Sequence, residues 1–145
     1  MDDAEHRAQA IECNNATWEM IGGERTPAND EEMLRRAYAA AYHWQRAAGR
    51  GPENEVRAQW LLAKVHLLAG HPGMSLEYAD ACAQQCTDNG LADFDLAYAY
   101  EARARALQAM GRSAEAEVVW AAAKAVPIAD PEDQAIVDAD LAVGP

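Results

Sequence analysis

The chain has one phenylalanine, two lysines, three cysteines and no long apolar run in 145 residues. Each shortage excludes something. With so few lysines, and ten arginines scattered rather than clustered, no basic block exists to neutralise a phosphate backbone, so no nucleic-acid partner is expected. No stretch reaches the about 18 apolar residues of a membrane span, and no membrane association is expected. The opening MDDAEHRAQA lacks the charged-then-apolar pattern of a signal peptide. Three cysteines are an odd number on helical stretches, which argues against a secreted disulfide scaffold and for a cytoplasmic protein. No P-loop, GxGxxG, GxSxG or HExxH motif occurs, and no cofactor is expected.

What is abundant is alanine, at 34 positions, and acid, with 24 Asp and Glu against 12 Lys and Arg for a net charge of −12. Half of the residues are hydrophobic, but most of that half is small. Alanine methyls make a core only where backbones approach closely, which means helix on helix. Apolar positions recur at three and four, never in alternation, so no strand is expected. The length fits a single domain over residues 1–145, which buries roughly 68–70% of its unfolded surface.

Punctuation divides the chain into helices. The first runs from about Asp3 to Ile21 and stops at Gly22-Gly23. Asn29 or Asp30 caps the second, which carries Glu31 and Glu32 in its first turn and ends at Gly49. Glu53 opens a third that reaches Gly70; after the turn HPGMS, a fourth ends at Gly90. The fifth is capped by Asp93 and stops at Gly111, and Ser113 caps the sixth. Beyond Pro127, PEDQAIVDADLA reads as a final helix. The organisation is three hairpins, about 3–48, 53–89 and 92–126, with a capping helix at about 131–142 and a core punctuated by Trp18, Trp44, Trp60 and Trp120.

Gly70 and Gly111 lie 41 residues apart, each between two helices of similar layout. Trp60 and Ala63 precede the first, Tyr100 and Ala104 the second. Ala116, Trp120 and Ala123 follow the second; Ser75, Ala79 and Cys82 hold the equivalent places in the first. This layout resembles the tetratricopeptide repeat, which pairs an aromatic, a small residue at the helix crossing and A-x3-F on the second helix. Tyr98 to Ala125 follows the pattern; Val56 to Cys86 departs from it at Ser75 and Ala79, and the N-terminal hairpin fits by position only. The period exceeds the usual length of about 34, so the chain resembles a long-helix variant. AAAYHW, RAQWLLAKV and ADFDLAYAYEARARA also resemble a group of small bacterial helical-repeat proteins, a likeness that brings no activity with it. The resemblance implies an all-α, right-handed α-α superhelix that serves as a protein-binding module.

In such a stack the first helix of each hairpin lines the concave face. The register places Arg57, Trp60 and Lys64 there from one hairpin, and Tyr98, Glu101 and Arg105 from the next. Each trio spans i, i+3 and i+7 and lies along one side of a helix. Three bases, one acid and two aromatics make a locally positive, partly apolar surface suited to a carboxylate, on a peptide or protein partner or an anionic small molecule. The ordinary reading is that the aromatics pack between hairpins and the charges form solvated pairs.

The alternative is a small-molecule binder or enzyme with a pocket around His43, Trp60, Tyr98 and Glu101. There His43 would be a general base beside Asp95 or Glu101, although at the end of its helix it more simply faces the negative end of the dipole. Cys82 and Cys86 are four apart and with His66 or His71 approach a Cys2His2 set, but no second CxxC exists and small cysteines suit a helix crossing; no metal site is assigned. Asp93 and Asp95 point roughly 200° apart on a helix, which argues against a shared cation. Asn15-Ala16-Thr17 matches a glycosylation acceptor but falls inside a helix. From Ser113 onward seven acids face one base, a charge of −6 that keeps a capping helix soluble. Three hairpins are near the lower limit of a stable stack, which leaves a homodimer open.

Overall fold

The computed structural model describes residues 1–145 as seven α-helices without a strand: α1 (Asp3–Ile21), α2 (Pro27–Trp44), α3 (Pro52–Leu68), α4 (Pro72–Asp88), α5 (Phe94–Ala109), α6 (Ser113–Ala125) and α7 (Pro131–Asp140). No helix is long and apolar enough to cross a membrane.

The helix starts follow proline more closely than the polar caps expected for them. α2, α3, α4 and α7 each begin with Pro, whose missing N–H is among those the first turn leaves unbonded anyway. Thr26, not Asn29 or Asp30, caps α2: its hydroxyl accepts from the Asn29 N–H at 3.1 Å. α4 starts at Pro72, so most of the expected turn HPGMS is helix. α2 ends at Trp44, short of Gly49. Ser113 is the first residue of α6 and Arg112 takes the cap position. Asp93 takes the cap position of α5, as expected, but makes no side-chain bond to the helix; its carboxylate accepts from the Ala129 N–H at 3.0 Å and ties down the link between α6 and α7. Only α1 has a full capping box, between Asp2 and Glu5.

Gly70 and Gly111 end α3 and α5 in the same way. Both take positive φ, 81° and 76°, and the next N–H bonds back five residues, His71 to the His66 carbonyl at 2.8 Å and Arg112 to the Leu107 carbonyl at 3.0 Å. No atom lies within 4 Å of a Cβ built at either glycine, so the conformation, not crowding, demands glycine. Two equal reversals at a 41-residue interval set α4 on α3 and α6 on α5. α4 also packs on α5, α2 on α3, and α3 directly on α5.

The interior is a chain of small clusters rather than one core. Met33, Ala37, Leu61, Leu62 and Val65 join α2 to α3. Val56, Cys82, Cys86 and Ala99 join α3, α4 and α5. Ala63, Ala79 and Ala102 meet at the crossing of the same three helices. Ala97, Ala104, Trp120, Ala123, Val126, Val137 and Leu141 close the C-terminal end. The alanines sit where backbones cross, as a small-residue core requires. Of the four tryptophans only Trp120 is buried; Trp18 is 44% exposed. The two departures from the repeat pattern are local: Ser75 is buried and donates to the Ala63 carbonyl at 2.7 Å, and Ala79 lets α4 close on Ala63 while Trp60 and Tyr78 fill the space around it.

Candidate functional site

α3 and α5 run side by side and bring the two predicted trios together. Trp60 stands at their centre. Its indole Nε1–H donates to Glu101 Oε2 at 3.1 Å, a pair 41 residues apart in sequence. Arg105, one turn along α5, donates from Nε to the other carboxylate oxygen of Glu101 at 2.5 Å. Glu101 is 5% exposed. A buried carboxylate holds only when its oxygens are satisfied, and here the indole N–H and the guanidinium do that.

Two clefts open on opposite sides of the Trp60 indole. One, of about 320 Å³, is lined by Lys64, Leu67, Leu68, Glu101 and Arg105 as well as Trp60. Lys64 has no carboxylate within ion-pair distance; its ammonium lies 5.5 Å from the Trp60 ring centroid and 5.9 Å from that of Trp18. Arg105 spends Nε on Glu101 and Nη2 on the Asp140 carbonyl at 3.3 Å, leaving Nη1 without a bond.

The other cleft, of about 350 Å³, lies between Trp18, Trp60, Phe94 and Tyr98. Arg57 reaches across it from α3 to Asp95 on α5, with Nε and Nη2 at 3.0 and 3.3 Å from the two carboxylate oxygens. That pairing raises the already high proton affinity of the guanidinium. The Tyr98 hydroxyl donates to Asp140 on α7. Burial first, then the Asp140 hydrogen bond and the charges of Asp140, Glu101 and Asp133, push the phenol up from its ordinary range. The sequence shows Asp140 only as one acid of a solubilising cap, because α7 lies outside the repeat and its placement against α5 is a tertiary fact.

Every residue of the two trios therefore lines one cleft or the other. His43 lines neither. It sits on the α1–α2 hairpin with its Nδ1 2.8 Å from His6 Nδ1, beside Tyr42. Burial, His6 and Arg46 hold its proton affinity below the ordinary histidine value. The pocket expected to join His43 to Trp60, Tyr98 and Glu101 does not form, because α2 faces α1 and α3 at that level rather than α5.

The cysteine and histidine set does not form either, and no group of three or more His, Cys, Asp or Glu is placed to hold a metal. Cys82 and Cys86 are buried, and the Cys82 thiol donates to the Val56 carbonyl at 3.3 Å. Cys86 and burial push the Cys82 thiol up, which suits an inert packing residue. His66 turns toward α2 instead: Nε2 is 2.8 Å from the Tyr38 hydroxyl and Nδ1 3.2 Å from His71 Nδ1, with Tyr78 stacked on the ring. All four histidines thus form two imidazole pairs, both away from the clefts.

No family model, curated protein or solved structure matches the chain.

Proposed function

We propose that this protein is an interaction module, a tetratricopeptide-like right-handed stack of hairpins, that binds a carboxylate-bearing peptide segment of a protein partner beside Trp60. The observation that carries this reading is the Lys64 ammonium, set over two indole faces and unpaired with any acid. Around it, Arg105 keeps one terminal nitrogen for a ligand, while Leu67 and Leu68 supply apolar wall next to the charges. Lys64 and Arg105 against Glu101 give the cleft a charge of +1 on a chain of −12. A carboxylate next to an apolar side chain matches that lining.

The 41-residue interval supports the repeat reading. Arg57 and Tyr98, Trp60 and Glu101, and Lys64 and Arg105 are equivalent positions on α3 and α5, and Gly49 and Gly90 repeat at the same spacing with φ of 64° and 67°. The α3–α5 contact is the one that stacked hairpins make through their first helices.

The test uses a pool of short peptides with free C-terminal carboxylates against the same pool amidated, read on the Trp60 indole N–H resonance. Free-carboxylate peptides shift that resonance, and Lys64→Glu abolishes the shift while the protein still melts cooperatively. Equal response to both pools, or an unaffected Lys64→Glu protein, overturns the reading.

A further inference from the structure

The cleft on the far side of Trp60 carries the opposite chemistry. Four aromatic rings from three helices follow one another around it. Trp18 and Trp60 have centroids 5.8 Å apart and planes 24° from parallel. Tyr98 meets Trp60 at 5.8 Å and 81°, so the two rings form a corner, and Phe94 extends the Tyr98 wall at 4.9 Å. Such rings ordinarily close on one another in a core. Here they surround an opening of about 350 Å³, within the size range of small-ligand sites, and Trp18 at its mouth is 44% exposed.

The charges at this opening sum to a negative value. Asp95 satisfies Arg57 through two hydrogen bonds, so that pair is neutral. Asp140 remains, with one oxygen on the Tyr98 hydroxyl and no basic side chain within ion-pair distance. Aromatic faces carry negative potential and attract cations, most strongly when the ring is an indole. The chain already uses these faces so: the Lys64 ammonium lies over Trp18 and Trp60 from the other side. A primary ammonium or a guanidinium needs several hydrogen-bond acceptors, and here both Asp95 oxygens are taken by Arg57 and one Asp140 oxygen by Tyr98, which leaves few beside the four rings. A quaternary ammonium needs none.

We propose that this cleft binds a quaternary ammonium group, with Trp18, Trp60 and Tyr98 against its methyls and Asp140 as counter-charge. The proposal is independent of the carboxylate reading of the opposite cleft. Its probes are choline and the neutral isostere 3,3-dimethylbutan-1-ol, titrated at constant ionic strength and followed by tryptophan resonances. An N-acetyl, trimethylated lysine amide beside its unmethylated form distinguishes a peptide side chain from a free small molecule as the source of the group. A cation–π site prefers choline to the alcohol by about tenfold, and trimethylated to unmethylated lysine likewise. Trp18→Ala removes the preference, and Asp140→Asn weakens choline about threefold; both residues are exposed enough that the fold survives. Equal binding of choline and the alcohol, no saturable binding of either cation, or choline binding indifferent to both substitutions overturns the proposal. Lys64→Met separates the two sites: it removes free-carboxylate peptide binding and leaves choline binding at least as strong. Either reading therefore fails alone.

Discussion

The two clefts share Trp60 and both lie along α3 and α5, yet one collects cations and the other aromatic rings with an acid. On the Lys64 side, one acid is set against two bases, and that acid is buried beneath them. On the Tyr98 side, the single base is neutralised by Asp95, and α7 adds Asp140 from outside the repeat. A period of 41 residues places Arg57 beside Tyr98 and Trp60 beside Glu101, but it says nothing of their chemistry. Equivalent positions here hold unlike residues. The repeat therefore supplies geometry, the substitutions between copies supply charge sign, and the non-repeating α7 decides which side becomes negative.

Removing the shared wall is the strongest way to break the contrast. Trp60 packs against three of the four buried clusters as well as lining both clefts. Trp60→Ala should cost about 3–4 kcal/mol in denaturant unfolding and abolish both kinds of binding. Trp18→Ala, at an exposed position, should cost about 1 kcal/mol or less and disable the aromatic cleft alone. Similar losses for the two variants would mean that Trp60 has no special place between the clefts.

Next in size is Glu101, the hinge of the charge difference. Glu101→Ala leaves the Trp60 N–H and the Arg105 Nε without their acceptor, at a cost of about 2–3 kcal/mol. Glu101→Gln keeps one acceptor for the indole and should cost about 1 kcal/mol less than alanine. The same change raises the charge of the basic cleft by one. Anionic peptides should then bind it more tightly if Arg105 stays in place, while choline binding across the wall stays within about twofold. Comparing urea midpoints with binding isotherms for the two variants separates support of the fold from tuning of the cleft.

The helices were readable from the chain because alanine recurs at crossings and glycine marks each reversal. The α1 limits match the structure, and the spacing of Gly70 and Gly111 anticipated two equal turns. Helix starts differ from the expectation where Thr-Pro or Gly-Pro outranks a nearby Asn, Asp or Glu, a signal present in Thr26-Pro27 and Gly51-Pro52. The trios on α3 and α5 were also readable, since i, i+3 and i+7 fix a face. Their pairing was not. That Arg57 is consumed by Asp95, that Glu101 lies buried, and that Trp18 and Asp140 complete the second cleft depend on the angles between helices, which no local pattern encodes. The expected companions of His43, Asp95 or Glu101, fail for the same reason: its partner is His6 on the preceding helix.

The smallest expected effect is the dependence on pH, and it sharpens the contrast by leaving both clefts out. No histidine lines either one. His66 is held below the ordinary histidine value by burial and by His71, and His43 by burial, His6 and Arg46. A histidine with a depressed folded-state value binds fewer protons folded than unfolded. Its contribution is therefore fully present above the unfolded value of about 6.5 and is lost as pH falls below it toward the folded value. Urea midpoints should drop modestly between pH 7.5 and 5, by less than about 1 kcal/mol in total, since His43 is only partly buried. His66→Gln should flatten that drop by removing the more deeply set of the two depressed groups, although it also gives up the bond to Tyr38 and so lowers the plateau. Across the same range, peptide-carboxylate and choline affinities should stay constant in the folded protein, because neither lining contains an imidazole. An affinity that followed the stability curve would tie a cleft to an imidazole pair through the helices between them, and the two clefts would then no longer be the separate, histidine-free sites that their linings describe.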